Sequence, residues 1–330
     1  MADYQDIRGL RVKYLSADPS TTTAGEVWYN STSGTLKASV VFAAAWSSAT
    51  AYPTPRRDCG GFGTQTAGVV FGGSTPRTAD ANQWNGSSWT AATAVPTAIN
   101  ALDASGPQTA GLTAGGNTPG SPVTTNTSSF DYNGASWSAN PTMPVGRTGH
   151  ATVGGAAAQT AAIAVSGEPS GMTSTSAWNG STWTVGATVP TWAQGTSGGG
   201  TTTAAFCQAN VNDAEQTLVF NGTSWSAGND SSNGHNYGGA GGTDADGITF
   251  GGQQVPSPGT RTAQAELYDG TNWSTGANMG TARSSLHGDC VINAPACISA
   301  TGFVPGGQGF STNAEEFNAQ YVGTQTLTTS

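Results

Sequence analysis

Three histidines are the residues of this 330-residue chain whose type and spacing could support metal chemistry. His150, His235 and His287 each follow a tryptophan, by 13, 10 and 14 positions. Imidazole nitrogens bind copper and zinc, so three of them around one channel mouth would form a metal centre. A repeated sequence also places similar residues at similar sites without any ligand. We therefore predict no metal and no cofactor here.

Paired carboxylates offer a second kind of chemistry. Asp213 and Glu215 precede an expected strand, and Asp244 and Asp246 flank an expected turn. Glycoside hydrolysis needs two carboxylates at a defined separation across a cleft, and spacing along the chain does not supply that. We also find no Gly-x-Ser-x-Gly elbow in a strand-to-helix context and no calcium loop of the Asp-x-Asp-x-Asp-Gly kind. We therefore interpret the acidic pairs as solvated turn residues and predict that the protein is not an enzyme.

The elements that position these residues are set by a repeat built on Trp84-Asn85-Gly86-Ser87-Ser88-Trp89. The leading aromatic returns at positions 84, 132, 178, 220, 268 and 317, in steps of 48, 46, 42, 48 and 49 residues. A period of roughly 40 to 50 residues is typical of propellers and solenoids. Each copy predicts a hairpin in which Asn-Gly or Asp-Gly supplies the two φ > 0 positions of a type I′ turn.

The repeat divides into four strands. Tight Gln-Thr-Ala turns follow the first strand, Gly-Gly pairs end the second, and the third runs into the Asn-Gly turn. The recurring tryptophan opens the fourth strand and is expected to pack between neighbouring sheets. This pattern predicts an all-β, six-bladed β-propeller of four-stranded blades.

Closure of the ring can be predicted from one spacing. Arg147 and Arg283 lie ten residues after a fourth-strand tryptophan, and Arg56 lies ten after Trp46. Trp46 therefore marks a fourth strand that has no first three strands before it in the chain. We predict that this strand completes the last blade. The alternative assigns that strand to residues 321–327.

The order of Gly pair, aromatic and Trp resembles the kelch repeat of galactose-oxidase-like propellers over residues 40–322. The resemblance implies the architecture and carries no chemistry. Copper-radical oxidation in that family needs a Cys-crosslinked Tyr, a second Tyr and two His, and that set cannot be matched here residue by residue. A metal-dependent oxidase remains an alternative function, as does a cellular kelch-type interaction scaffold.

The binding face is expected opposite the tight turns. Long and varied loops lie there, over residues 74–78, 117–125, 140–146, 230–234 and 253–261. Loops of uneven length on a rigid scaffold commonly carry binding. The ligand-binding residues predicted on this face are Arg77, Arg147, His150, Trp192, His235, Tyr237, Arg261, Arg283 and His287.

Composition restricts the partners. The net charge of −9 argues against nucleic acid, because phosphate binding needs clustered Lys and Arg. No apolar run reaches the roughly 20 residues of a membrane span, and no signal pattern opens the chain. We expect synthesis in the cytoplasm. Cys290 and Cys297 could face each other across a hairpin as a disulfide, or could be buried thiols.

Residues 1–39 lie outside the repeat, and the rest of the chain, 40–330, is assigned to the propeller. The segment Gly25-Glu26-Val27-Trp28-Tyr29-Asn30, followed by Gly34-Thr35-Leu36-Lys37, predicts a β-hairpin. It resembles a short module of bacteriophage tail-fibre and virion proteins. The resemblance implies a virion structural protein, a tail or capsid appendage, that recognises a host-surface glycan or receptor. Attachment to other virion proteins or to further copies of the chain is assigned to Arg11, Tyr14, Trp28 and Tyr29.

Overall fold

The computed structural model describes residues 12–74, 76–119, 124–208, 213–254, 260–286, 296–305 and 309–327. They belong to two compact units. The first consists of Met1–Ala45 with Ala319–Ser330, and the second is Trp46–Asn318. The division expected from sequence was 1–39 against 40–330. The observed boundary lies later, and the C-terminal residues join the N-terminal ones, because the strand that starts at Thr35 continues to Phe42 and pairs with residues 321–326.

The strands are numbered along the chain. The first unit contains β1 (Lys13–Leu15), β2 (Val27–Asn30) and β3 (Thr35–Phe42). The strands that follow are β4 (Ala45–Ala49), β5 (Gly60–Thr64), β6 (Ala67–Phe71), β7 (Ala81–Trp84), β8 (Trp89–Ala92), β9 (Asp103–Ser105), β10 (Gly111–Ala114), β11 (Asn117–Thr118), β12 (Thr124–Thr125), β13 (Ser129–Tyr132), β14 (Trp137–Asn140), β15 (Ala151–Val153), β16 (Ala162–Val165), β17 (Thr175–Trp178) and β18 (Trp183–Val185). The remainder are β19 (Ser197–Gly200), β20 (Ala205–Gln208), β21 (Thr217–Phe220), β22 (Trp225–Ala227), β23 (Gly239–Gly242), β24 (Gly247–Phe250), β25 (Ala265–Tyr268), β26 (Trp273–Thr275), β27 (Cys297–Ala300), β28 (Ala314–Asn318) and β29 (Tyr321–Thr326). A short 3-10 turn covers Gly155–Ala157. Within the described residues, no helix has both the length and the apolar character needed to cross a bilayer.

The first unit is one sheet in the order β1-β2-β3-β29. The predicted hairpin is present, with Asn30 opposite Thr35 at its turn end. The Asp18 carboxylate holds the sheet together by accepting hydrogen bonds from Trp28 Nε1 at 3.0 Å, Asn30 Nδ2 at 2.7 Å and Lys37 Nζ at 2.6 Å. These donors, Lys37 above all, lower the pKa of Asp18 to about 2.

The second unit is a β-propeller. Its described residues form five four-stranded sheets, β5–β8, β9-β10-β13-β14, β15–β18, β19–β22 and β23–β26, and a three-stranded sheet in the order β27-β28-β4. We call these sheets 1 to 6. The short strands β11 and β12 pair separately as a two-stranded sheet. The strand that contains Trp46 is the edge strand of sheet 6, which confirms the predicted closing strand. The alternative is wrong, because β29 pairs with β3 in the first unit.

The turns between third and fourth strands differ from the predicted type I′ geometry. Trp84 pairs directly with Trp89, so the loop has four residues. Gly86 has φ +88°, whereas Asn85 is absent from the described residues with positive φ. The Asn85 side chain instead accepts the backbone N–H groups of Ser87 at 3.0 Å and Ser88 at 2.9 Å. Asn is therefore selected at this position as a side-chain acceptor.

The recurring tryptophans pack between sheets, as predicted. Trp137 of sheet 2 lies 4.9 Å from the ring of Phe71 in sheet 1. The glutamines of the tight turns add hydrogen bonds between sheets. Gln108 Nε2 donates to the carbonyls of Gly68 and Trp84 in the preceding sheet, both at 2.9 Å. The apolar core is thus divided among the spaces between sheets.

Candidate functional site

One position of the repeat, twelve residues after the fourth-strand tryptophan, has left-handed backbone in every sheet. It is occupied by Asp58, Ala101, Gly149, Gly195, Tyr237 and Ser285, with φ of 54°, 51°, 57°, 69°, 57° and 59°. Only two of the six are glycines. A non-glycine residue costs on the order of 1–3 kcal/mol in a sparsely populated backbone region, so the surrounding structure must impose this geometry.

A closed circle of backbone hydrogen bonds imposes it. The N–H of each of these residues donates to the carbonyl of its equivalent in the preceding sheet. The bonds run from Ala101 to Asp58 (2.8 Å), Gly149 to Ala101 (3.0 Å), Gly195 to Gly149 (2.8 Å), Tyr237 to Gly195 (2.8 Å), Ser285 to Tyr237 (2.7 Å) and Asp58 to Ser285 (3.1 Å). The circle returns to its starting residue, so the six sheets of the second unit close on themselves around it.

Two further repeat positions meet beside this circle. The residue eleven after the tryptophan forms a β-bridge with the residue that follows the Gly-Gly position of the same sheet. The bridges join Arg57 to Ser74, Asn100 to Asn117, Thr148 to Glu168, Asn236 to Gln253 and Ser284 to Phe303. Their side chains vary from sheet to sheet although their backbone is repeated. The fold thus provides a ring of positions where residues can change without altering the scaffold.

These positions line a central pocket with a volume of about 290 Å³. Its lining includes Arg57, Asp58, Asn117, Glu168, Tyr237 and Gln253. Hydroxyl, amide, carboxylate and guanidinium groups predominate. A pocket of this size and polarity suits a small ligand rich in hydrogen-bonding groups.

Several polar groups in the pocket are held by their neighbours. The Ser74 hydroxyl donates to Asp58 Oδ2 at 2.8 Å, and Gln194 Nε2 donates to a carboxylate oxygen of Glu168. Burial, together with the negative charges of Glu168 and Asp58, raises the pKa of Tyr237 to about 12. Tyr237 therefore remains a neutral phenol at physiological pH.

Two amide oxygens in the pocket have unused acceptor capacity. Asn100 donates through Nδ2 to the Ser74 hydroxyl at 3.0 Å. Its Oδ1 and the Oδ1 of Asn117 are buried, and no donor among the described residues reaches them. Buried acceptors without a donor are costly, so a ligand hydroxyl that reached either oxygen would be bound favourably.

Three predicted ligand-binding residues are fully buried at a third repeat position, ten after the tryptophan. Arg147 donates to the carbonyl of Ser166 at 2.9 Å and to Ser176 Oγ at 2.9 Å, and Arg283 donates to the carbonyl of Thr301 at 2.6 Å. His235 contacts the carbonyl of Gly251 through Nδ1 at 2.8 Å and Glu266 through Nε2 at 3.1 Å. All three have 0% exposure. They connect strands within a sheet, so the surface location expected for them is wrong.

Burial and hydrogen bonding act in opposite directions on Glu266. Burial acts to raise the pKa of this carboxyl. The hydrogen bond from His235, the backbone amides of Ser232 and Asn233 and the charge of His235 outweigh it and keep the pKa below its ordinary value. Both ring nitrogens of His235 already contact protein oxygens. Its hydrogen bonds therefore explain why His235 is buried without invoking a metal.

The remaining predicted residues are dispersed. His150 is fully buried, and a Cβ on Gly115 would come within 2.7 Å of its Cε1. Trp192 is half-buried and donates its indole N–H to the carbonyl of Gly167 at 2.7 Å. Arg77 and Arg261 are half-buried. Of the predicted ligand-binding residues that the structure describes, Tyr237 alone lines the pocket. His287 lies outside the described residues, as do Arg11 and Cys290.

In the first unit, the residues predicted for attachment divide into two groups. Tyr14 is 74% exposed and stacks on the half-buried Tyr29 with 5.1 Å between ring centres. Trp28 has only 1% exposure, because it packs into the sheet and donates to Asp18. Trp28 therefore stabilises the unit and does not present a surface.

Sequence reasoning missed most of the pocket. Asp58, Asn100, Asn117, Glu168 and Gln253 were not predicted, although fixed spacings mark their positions. Counting eleven and twelve residues from each tryptophan identifies Asn100 and Asp58, and counting one residue beyond a Gly pair identifies Asn117 and Gln253. Glu168 occupies the same repeat position but follows Ser166-Gly167, where the Gly pair is not present. His and Arg were predicted instead, because their side chains are the chemically reactive ones.

Comparisons with known proteins support the fold. The solved structure titled "Structure of YjhT" matches with a TM-score of 0.66 over 83% of this chain and 99% of the other, at 13% sequence identity. No family model matches the sequence, and no curated protein matches it. At this identity the likeness shows the fold alone. The comparisons therefore place the chain among proteins of propeller fold, and its function must be argued from the pocket.

Proposed function

We propose that this chain is a non-enzymatic binding protein whose central pocket takes a hydroxyl-rich ligand, the terminal sugar of a surface glycan. The observation that carries the proposal is the pair of buried acceptors, Asn100 Oδ1 and Asn117 Oδ1, on residues that line the same pocket of about 290 Å³ as Tyr237. Sugar hydroxyls both donate and accept hydrogen bonds, so they can satisfy amide oxygens and carboxylates in the same site.

We further propose that the protein is a bacteriophage virion component, with the first unit attached to the particle. The segment that resembles tail-fibre modules folds as the β2–β3 hairpin, with Tyr14 exposed next to it. Several copies on one particle would convert weak binding of single sugars into useful avidity. Genes for capsid, portal or tail proteins beside this gene are the expected finding. Neighbours of purely cellular function would favour an interaction scaffold instead.

The binding proposal is tested on an array of immobilised oligosaccharides. We expect the full chain to bind a restricted set of terminal sugars. Asn117→Ala should weaken that binding about tenfold, since a ligand hydroxyl loses its acceptor. Asn229→Ala is the matched control, because Asn229 is exposed and does not line the pocket. Equal binding by both variants, or no sugar bound by the unmodified chain, would contradict the proposal.

A further inference from the structure

Two arginines share one aromatic ring at the edge of the central pocket. The guanidinium carbon of Arg261 lies 3.9 Å from the centre of the Phe303 ring, and that of Arg57 lies 5.6 Å from it. Arg57 also lies 5.5 Å from the ring centre of Phe310. A β-bridge joins Phe303 to Phe310, and another joins Arg261 to Gln253. Because Arg57 and Gln253 both line the pocket, this cluster is continuous with it.

The cluster has more positive than negative charge. Arg57 Nε lies 3.5 Å from Asp58 Oδ2, whereas no described carboxylate lies within 4 Å of Arg261. The Nε atoms of both arginines are buried and have no hydrogen-bond acceptor in the part of the chain that the structure describes. Burial, together with the charge of Arg57, lowers the pKa of Arg261. The cluster thus contains two guanidinium groups and one carboxylate, that of Asp58, in a chain with a net charge of −9.

The chemistry of these groups favours an oxyanion. A guanidinium that stacks on a ring keeps its N–H groups in its own plane, where they can bind a carboxylate or sulfate through two parallel hydrogen bonds. An anion between Arg57 and Arg261 would also remove their mutual repulsion. We propose that Arg57, Arg261 and Phe303 form an anion subsite, and that the sugar bound in the central pocket carries a carboxylate or sulfate group. This inference rests on the proposed saccharide binding.

Two probes test the subsite on the full chain. The first is inorganic sulfate, titrated by calorimetry against sodium chloride of the same ionic strength, which tests the arginines independently of any sugar. The second is a set of array saccharides that share one backbone and differ in being neutral, carboxylated or sulfated. We expect sulfate to bind, and we expect acidic members to bind at least tenfold more tightly than neutral ones.

The variants are Arg261→Gln and the control Lys13→Gln, each of which removes one positive charge. Lys13 is exposed in the first unit and does not line the pocket. Arg261→Gln should abolish sulfate binding and the preference for acidic sugars, and Lys13→Gln should retain both. Phe303→Leu should weaken both, since the ring that orients the guanidinium is lost.

The outcomes separate the two proposals. Neutral and acidic saccharides that bind equally, or equal losses in the Arg261 and Lys13 variants, would overturn the subsite and leave the saccharide pocket standing. If sulfate bound through Arg261 but no saccharide on the array bound, the saccharide pocket would be overturned. The arginines would then form a site for a free anion only. Comparison of the carboxylated with the sulfated saccharides shows which of the two groups the subsite prefers.

Discussion

Asp103 of β9 is a buried carboxyl within the propeller. It is 6% exposed, and Oδ2 accepts the N–H of Thr152 from the neighbouring sheet at 2.6 Å. Burial raises its pKa to about 7, against which the hydrogen bonds from Thr152 and Ala104 act only in part. Asp103 is therefore the described residue whose protonation should most affect stability near neutral pH.

The sign of that effect follows from linkage. Because the folded pKa lies above the unfolded value, the unfolded chain releases the Asp103 proton first, and stability falls as pH rises from about 4 to about 7. Asp103→Asn keeps an acceptor for Thr152 and cannot ionise. The stability of this variant minus that of the unmodified chain, as free energies of unfolding, should therefore increase by on the order of 4 kcal/mol as pH rises across that range. Denaturant unfolding at pH 4, 6 and 8 measures it, and a difference that does not change with pH would contradict the prediction.

Arg147 shows what a buried cation contributes when its partners are backbone carbonyls. Its guanidinium donates to the carbonyls of Ala164, Ser166 and Ser174 and to the hydroxyl of Ser176. Arg147→Leu would remove all of these hydrogen bonds, and we expect a loss of about 2–4 kcal/mol in the free energy of unfolding. Ile99 occupies the equivalent position of sheet 2. A loss below about 1 kcal/mol would mean that Arg147 only fills space, as an apolar residue does there.

At the scale of elements, the stability of the four-residue loop between third and fourth strands depends on one side-chain acceptor. In sheet 2 the Asn133 side chain accepts the N–H groups of Ala135 at 3.0 Å and Ser136 at 2.8 Å. Asn133→Ala should cost about 1 kcal/mol, the usual value of such bonds. Asn133→Asp should retain most of the stability, since Asp269 makes the same bonds in sheet 5. Thermal unfolding compares them, with exposed Ser138→Ala as the neutral control, and equal stability of the Ala and Asp variants would contradict this account.

The sequence predicted most of the fold and little of the pocket. The tryptophan spacing predicted the strands, the packing between sheets and the closing strand at Trp46, because each follows from a local pattern repeated at a fixed period. The turn geometry was wrong, since the choice between a type I′ turn and a side-chain-capped loop depends on where the Asn oxygen points. The pocket was missed because Asn100 and Glu168 acquire their role only when the ring brings equivalent positions together.

Closure governs the whole propeller, and β4 is the strand on which it depends. Trp46 of β4 packs on Phe250 of sheet 5 with 4.9 Å between ring centres and on Phe317 of sheet 6 with 5.3 Å. Without β4, the strand Ala314–Asn318 would become an unpaired edge, and both phenylalanines would lose an aromatic partner. Unpaired edges recruit other chains, so the loss should appear as association as well as instability.

Two shortened chains isolate this effect. Residues 45–318 retain β4, whereas residues 50–318 lack it, and both omit the strands of the first unit. We expect the 45–318 chain to be monomeric with cooperative thermal unfolding. The 50–318 chain should unfold at least about 10 °C lower and elute as aggregates, since it loses a full strand and an aromatic contact worth several kcal/mol in total. Size-exclusion chromatography and calorimetry measure both properties. If the two chains behaved alike, the edge strand at Trp46 would not be what closes the ring, and the stability of the propeller would have to come from the circle of backbone bonds around the pocket.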